Sequence, residues 1–187
     1  MAIAKPVTLA EMKSWLRVDG TDDDQLLASL IEAATVYCQN YTHRQFMDDT
    51  KTEYWNWFPS VLTLSWTPLD VTVPITSIKY YDTGGVQRTL AAAAYSADTT
   101  AEPPVVREAD GYSWPATYDM PNAVEVIYVV GYGAEADVPE PIKTAIKLLV
   151  GHWYEHREAY TDGRPLTEVP MAVTSLLQQY ALIGADS

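Results

Sequence analysis

Apolar residues recur three and four positions apart at both ends of the chain, and alternate with polar ones in its middle. Near the N-terminus, Leu9, Met12 and Leu16 keep helical spacing. They follow Thr8-Leu9-Ala10-Glu11, a capping box in which the Thr hydroxyl and Glu carboxylate satisfy free first-turn amides. Thr21-Asp22-Asp23-Asp24 opens a second helix, with acids at its positive end. Its stripe runs Leu26, Leu27, Leu30, Ile31, Ala34, Tyr37, Cys38 and Tyr41, a 3.6-residue period. The short acidic turn between the two helices predicts a helical hairpin.

From about residue 48 to 133 the pattern changes. Runs near Thr50–Phe58, Val61–Trp66, Ile75–Tyr81 and Val124–Tyr132 are rich in Val, Ile, Thr, Tyr and Trp, and predict strands. Pro59-Ser60 and Gly84-Gly85 are turn signals. Ala97 to Asn122 holds four prolines and little periodicity, and predicts a long surface loop or arm. Helical spacing returns after Pro139-Glu140-Pro141, where proline's missing amide does no harm. Ile142, Ala145, Ile146, Leu149, Val150 and Trp153 form the buried face. Gly163-Arg164-Pro165 breaks the chain, and Pro170 opens a last short helix with Val173, Leu176, Leu177 and Tyr180. Leu182-Ile183-Gly184 keeps the tail apolar.

These elements predict an α+β fold. Residues 1–47 and 134–187 form a small helical bundle, and 48–133 an antiparallel β insert with the long loop near 97–122. At 187 residues the chain can bury a real core. No run approaches the roughly 20 consecutive apolar residues of a membrane span, and the N-terminus predicts no secretory signal. The single cysteine, Cys38, sits in a helical stripe and reads as a small core residue in a reducing compartment.

Charge narrows the function. Lys and Arg number 12 against 25 acids, a formal net charge of −13. The basic residues are scattered, whereas gripping phosphates needs them clustered, so tight DNA binding is disfavoured. The aromatics are skewed, with 6 Trp and 13 Tyr against 2 Phe. Trp and Tyr carry a polar atom on an apolar body and suit half-buried surfaces and interfaces.

Candidate chemistry is sparse. His152-Trp153-Tyr154-Glu155-His156 matches the H-x-x-E-H string of inverted zinc peptidases. Two histidines four apart can grip one zinc, and the Glu can polarise a water, which would make a zinc-dependent hydrolase. A third ligand would have to come from Glu158, Asp162, Glu168 or Asp186, none in a recognisable pattern. The plainer reading is a solvated helix C-terminus, where histidine complements the dipole. Gly131-Tyr132-Gly133 lacks the rest of a dinucleotide loop, and no phosphate-cradling loop or activated serine occurs. Catalytic residues, metal and cofactors are therefore all expected to be none. Tyr54-Trp55-Asn56-Trp57-Phe58 places Trp55 and Trp57 on one strand face. Exposed Trp and Tyr could serve a carbohydrate-binding module; core on one side and a subunit interface on the other is favoured.

Several segments together resemble the head–tail connector (adaptor) proteins of long-tailed phages and their prophages. They are Leu9 to Asp19 (LAEMKSWLRVD), Asp22-Asp23-Asp24, Ile31-Glu32-Ala33-Ala34 and Tyr41-Thr42-His43-Arg44. Pro74-Ile75-Thr76-Ser77-Ile78, Tyr80-Tyr81-Asp82 and Trp114-Pro115 follow. Gly131-Tyr132-Gly133, Val138 to Lys143 (VPEPIK), His152-Trp153-Tyr154-Glu155, Glu168-Val169-Pro170 and Leu176-Leu177 complete the set. The resemblance implies a structural virion protein rather than an enzyme. It implies a ring of this chain, commonly twelve copies, beneath the portal protein in the neck between head and tail. Such a ring extends the DNA channel and offers a platform to a stopper or tail-completion protein. Assembly would take place in the bacterial host cytoplasm, with no membrane involved. Genomic DNA would pass through the lumen without specific binding, which suits an acidic chain. A C-terminal segment reaches the portal in such proteins. Here the apolar tail Leu176, Leu177, Tyr180, Leu182 and Ile183 is the expected portal contact, because it could dock in a partner's groove.

Overall fold

The computed structural model describes residues 5–70, 72–156, 160–161, 164–165 and 169–182. The chain divides into two compact units. Met1–Met47 and Gly133–Ile183 make one, and Asp48–Tyr132 belong to the other. The architecture is α+β.

In the helical unit, α1 spans Leu9–Leu16 and α2 spans Asp24–Thr42. The capping box is formed: Glu11 N–H donates to Thr8 Oγ1 at 3.2 Å, and Thr8 N–H to Glu11 Oε2 at 2.9 Å. Both helices end with a left-handed residue that is not glycine, Arg17 (φ 56°) and His43 (φ 53°). The next amide reaches back five residues in each case, Val18 to Lys13 and Arg44 to Gln39, which satisfies helix-end carbonyls. At the start of α2 the acids are engaged. Tyr154 donates to Asp23 at 2.5 Å, and Lys13 pairs with Asp24 at 2.6 Å.

Helices α3 (Glu140–Glu155) and α4 (Met171–Gln178) complete the unit. Helix α3 packs on α2, and α4 packs on both. The core is Met12, Leu27, Ile31, Ala34, Cys38 and Phe46, with Ile142, Ile146, Leu149, Val173 and Leu177 from the C-terminal helices. Each large aliphatic side chain here stabilises the unit by about 1.5–3 kcal/mol. Between α3 and α4, Tyr160–Thr161 pairs antiparallel with Arg164–Pro165. The break expected at Gly163-Arg164-Pro165 is therefore a strand pairing at the residues described.

The β unit holds two antiparallel sheets. Its strands are β1 (Asp49–Trp55), β2 (Leu62–Thr63), β3 (Ile75–Tyr81), β4 (Gln87–Thr89), β5 (Tyr95–Asp98), β6 (Val105–Glu108) and β7 (Val124–Val130). One sheet has the order β1-β7-β3-β4, the other β2-β6-β5. Strand β7 is central, and its alternation turns Val124, Val126, Tyr128 and Val130 inward. They share one core with Leu62, Leu64, Leu69, Ile75, Ile78 and Val106 from the other strands. Tyr128 donates its hydroxyl to Glu53, which also accepts the Ser65 amide at 3.0 Å. Burial first, and then Glu53, pushes the Tyr128 phenol well above its usual range.

Two expectations change. The segment 97–122 is not one long loop: it contains the end of β5 and all of β6. Pairing such as Ala97↔Val106 holds these short strands, whose few apolar residues give no readable period. Strand β1 also stops at Trp55, so Trp55 and Trp57 do not share a strand face.

Candidate functional site

Among the described residues no three His, Cys, Asp or Glu side chains gather around a metal position. His152 and His156 meet edge to face near the end of α3, ring centroids 4.9 Å apart. Glu155 and His156 are exposed. Burial, and then His156, pushes the His152 imidazole below its usual range, while Glu155 opposes the shift. The acids Glu158, Asp162, Glu168 and Asp186 lie outside the described residues. Cys38 is buried, and burial pushes its thiol up to about 12, so it is a packing residue without thiolate character at neutral pH.

The aromatic string splits between surface and core. Trp57 is 64% exposed and Tyr54 50%. Phe58 stacks flat on Trp114 at 4.8 Å and meets Tyr80 edge-on at 5.7 Å. Tyr54, Tyr80, Tyr81, Gln87 and Asn122 line a recess of about 310 Å³, whose floor carries the Lys79–Glu125 ion pair at 3.0 Å.

The helical unit carries more apolar surface than its core needs. On α2 the buried line is Leu27, Ile31, Ala34, Cys38 and Thr42. Leu26 and Tyr41, expected inside, are both 36% exposed, and Val36 is 50% exposed. At roughly 100° per residue, Leu26 and Tyr41 lie to one side of the buried line, and Val36 lies on the face away from it. Tyr37 stacks on Tyr41 with centroids 6.4 Å apart. Ala33, Val36, Tyr37 and Trp153 line an open groove, with Ser29, Asn40 and Glu32 at its edges. A second patch lies on α1. Trp15 is 50% exposed, and it lines a depression with Ala10, Ser14, Arg17 and Lys147. Lys147 sits 3.6 Å from Glu11. Sequence reasoning passed over Trp15 and Val36. The available signal was that both are large apolar residues lying off their helix's buried stripe.

The expected portal residues fall into three groups. Leu177 is fully buried within the helical unit and holds α4 in place. It is therefore a core residue in this structure rather than a presented contact. Leu176, Tyr180 and Leu182 are half-buried. The carbonyl of Tyr180 accepts from Arg44 Nε at 2.5 Å, and the Leu182 amide donates to the Thr42 carbonyl at 3.2 Å. Ile183 lies outside the described residues.

Residues 6–96 match the family described as phage gp6-like head-tail connector protein. That segment holds the capping box, the acidic turn, α2 and the first strands. The match covers just under half of the chain. Three similar solved structures share the fold of this chain. A chain from the neck of an empty gene transfer agent (GTA) particle, computed with C6 symmetry, is 20% identical. It covers 98% of this chain and 94% of its own, with a TM-score of 0.76. A chain from the virion of a native GTA particle is 22% identical, covering 97% and 93%, with a TM-score of 0.73. A chain from the neck of a native GTA particle, computed with C12 symmetry, is 21% identical, covering 98% and 93%, with a TM-score of 0.70. No curated protein matches the chain. Among the described residues no helix is long and apolar enough to cross a membrane.

Proposed function

We propose that this chain is a head–tail connector that assembles into a ring, on the order of twelve copies, beneath the portal protein in the virion neck. The ring extends the DNA channel and gives a stopper or tail-completion protein its attachment surface. The observation that carries this reading is the family match together with exposed apolar helix faces on a unit whose core is already closed. Exposed patches of this kind mark association surfaces. The similar chains come from particle necks treated with sixfold and twelvefold symmetry, which agrees with a cyclic assembly.

A formal charge of −13 per copy suits a conduit, because repulsion keeps duplex phosphates from adhering to the wall. Subunits would assemble in the bacterial host cytoplasm. The portal contact falls to the end of the chain. Leu177 holds α4, while Tyr180, Leu182 and Ile183 supply apolar surface for a portal groove.

The test is co-sedimentation of the connector with purified portal rings. The full chain should sediment with portal and show rings by negative-stain imaging. A chain ending at Gln179 should stay folded and remain in the supernatant. Full-length connector that never sediments with portal would overturn the proposal, and equal attachment by the truncated chain would overturn the role of the tail.

A further inference from the structure

A ring of more than two copies needs two different patches on every subunit, one facing each neighbour. The helical unit presents two such patches. One is the half-exposed indole of Trp15, with Arg17 beside it and Lys147 held against Glu11 in the same depression. The other is the open groove of Ala33, Val36, Tyr37 and Trp153, with Glu32 on its edge. Glu32 is exposed beyond its contact with Lys5 at 3.3 Å.

Helix α3 shows that the patches face different ways. Lys147 belongs to the first and Trp153 to the second, six residues later. At roughly 100° per residue they point about 120° apart around the helix axis. The patches complement one another: a large exposed indole flanked by Arg17 against an apolar groove flanked by Glu32. Trp and Arg are also the residue types that most often dominate interface energy.

We infer that neighbouring copies of this connector join head to tail, the Trp15 indole of one copy entering the α2–α3 groove of the next while Arg17 faces Glu32. This rests on the ring reading above and names its interface. Both patches lie on one compact unit, so the contact needs no particular placement of the β unit.

The test pairs two measurements on portal-bound assemblies. Ser14→Cys and Ala33→Cys are small, exposed replacements, and native Cys38 is buried. With both present, a short bismaleimide should give a ladder of covalent multimers, and either cysteine alone should give none. Charge reversal is the second arm. Arg17→Glu or Glu32→Arg alone should abolish rings, and the double variant should restore them. Rings that form normally but give no ladder, or single reversals that assemble like the parent, would overturn this interface and leave the ring reading intact. Unmodified connector that forms no rings on portal would overturn both.

Discussion

Arg44, at the end of α2, donates to the main-chain carbonyl of Tyr180, 136 residues later, at 2.5 Å. Arg44 is only 7% exposed, and the Leu182 amide bonds to Thr42 just beside it. The start of the C-terminal tail is thus tied to the end of the helix on which the groove lies. Charged hydrogen bonds of this kind contribute about 1.5–3 kcal/mol. Arg44→Met keeps much of the packing and removes the donors. Amide hydrogen exchange in α4 should then accelerate by roughly 10- to 100-fold, since each 1.4 kcal/mol is a factor of ten. Unchanged exchange in α4 would show that the bond does not hold the tail.

The burial of Leu177 makes a contrast within the tail. Leu177→Ala should lower stability by about 2–5 kcal/mol in urea unfolding, as expected for a fully buried leucine. Leu182→Ser, at a half-buried position, should change stability far less and still weaken sedimentation with portal.

Gly131 closes β7 with φ +141°, and a Cβ there would come within 2.7 Å of the Asp48 backbone. Backbone cannot retreat as a flexible side chain can. Gly131→Ala should therefore destabilise the β unit by about 1–3 kcal/mol, read by urea unfolding. Gly111→Ala is the control, because its φ is also positive (+79°) but nothing stands within 4 Å of its Cβ position.

His152 gives the helical unit a pH dependence. Its folded-state pKa is lowered, chiefly by burial and then by His156, so the unfolded chain binds the proton more readily. Stability is therefore full above the ordinary histidine value of about 6.5 and falls as pH drops through it. His152→Gln should flatten that part of the stability profile between about pH 7 and 5. Glu11 acts lower down. Its carboxyl is held below the usual range, first by the Thr8 amide, so its contribution fades as pH falls through the acid range.

The helical half was readable because its apolar residues repeat over several turns. Ile142, Ala145, Ile146, Leu149 and Val150 of α3 are all buried. Helix α2 was read too broadly. Periodicity places Leu26 and Tyr41 beside the core stripe, but only tertiary contacts decide how wide a stripe is covered. In the β unit, β3 and β7 announced themselves by β-branched and aromatic residues. Strand β4 is Gln87-Arg88-Thr89, wholly exposed, and exists through its pairing with Lys79–Tyr81. No local pattern encodes that. The exposed apolar patches were hardest to see, since Trp15 and Val36 differ from core residues only by the direction in which the fold turns them.

The most direct measurement is a cryo-electron microscopy map of the chain mixed with purified portal rings. Expected is a closed ring of this chain around a central channel, with α2 of each copy against α1 of the next and the C-terminal tail against portal. Single connector copies bound to portal without touching one another would contradict it.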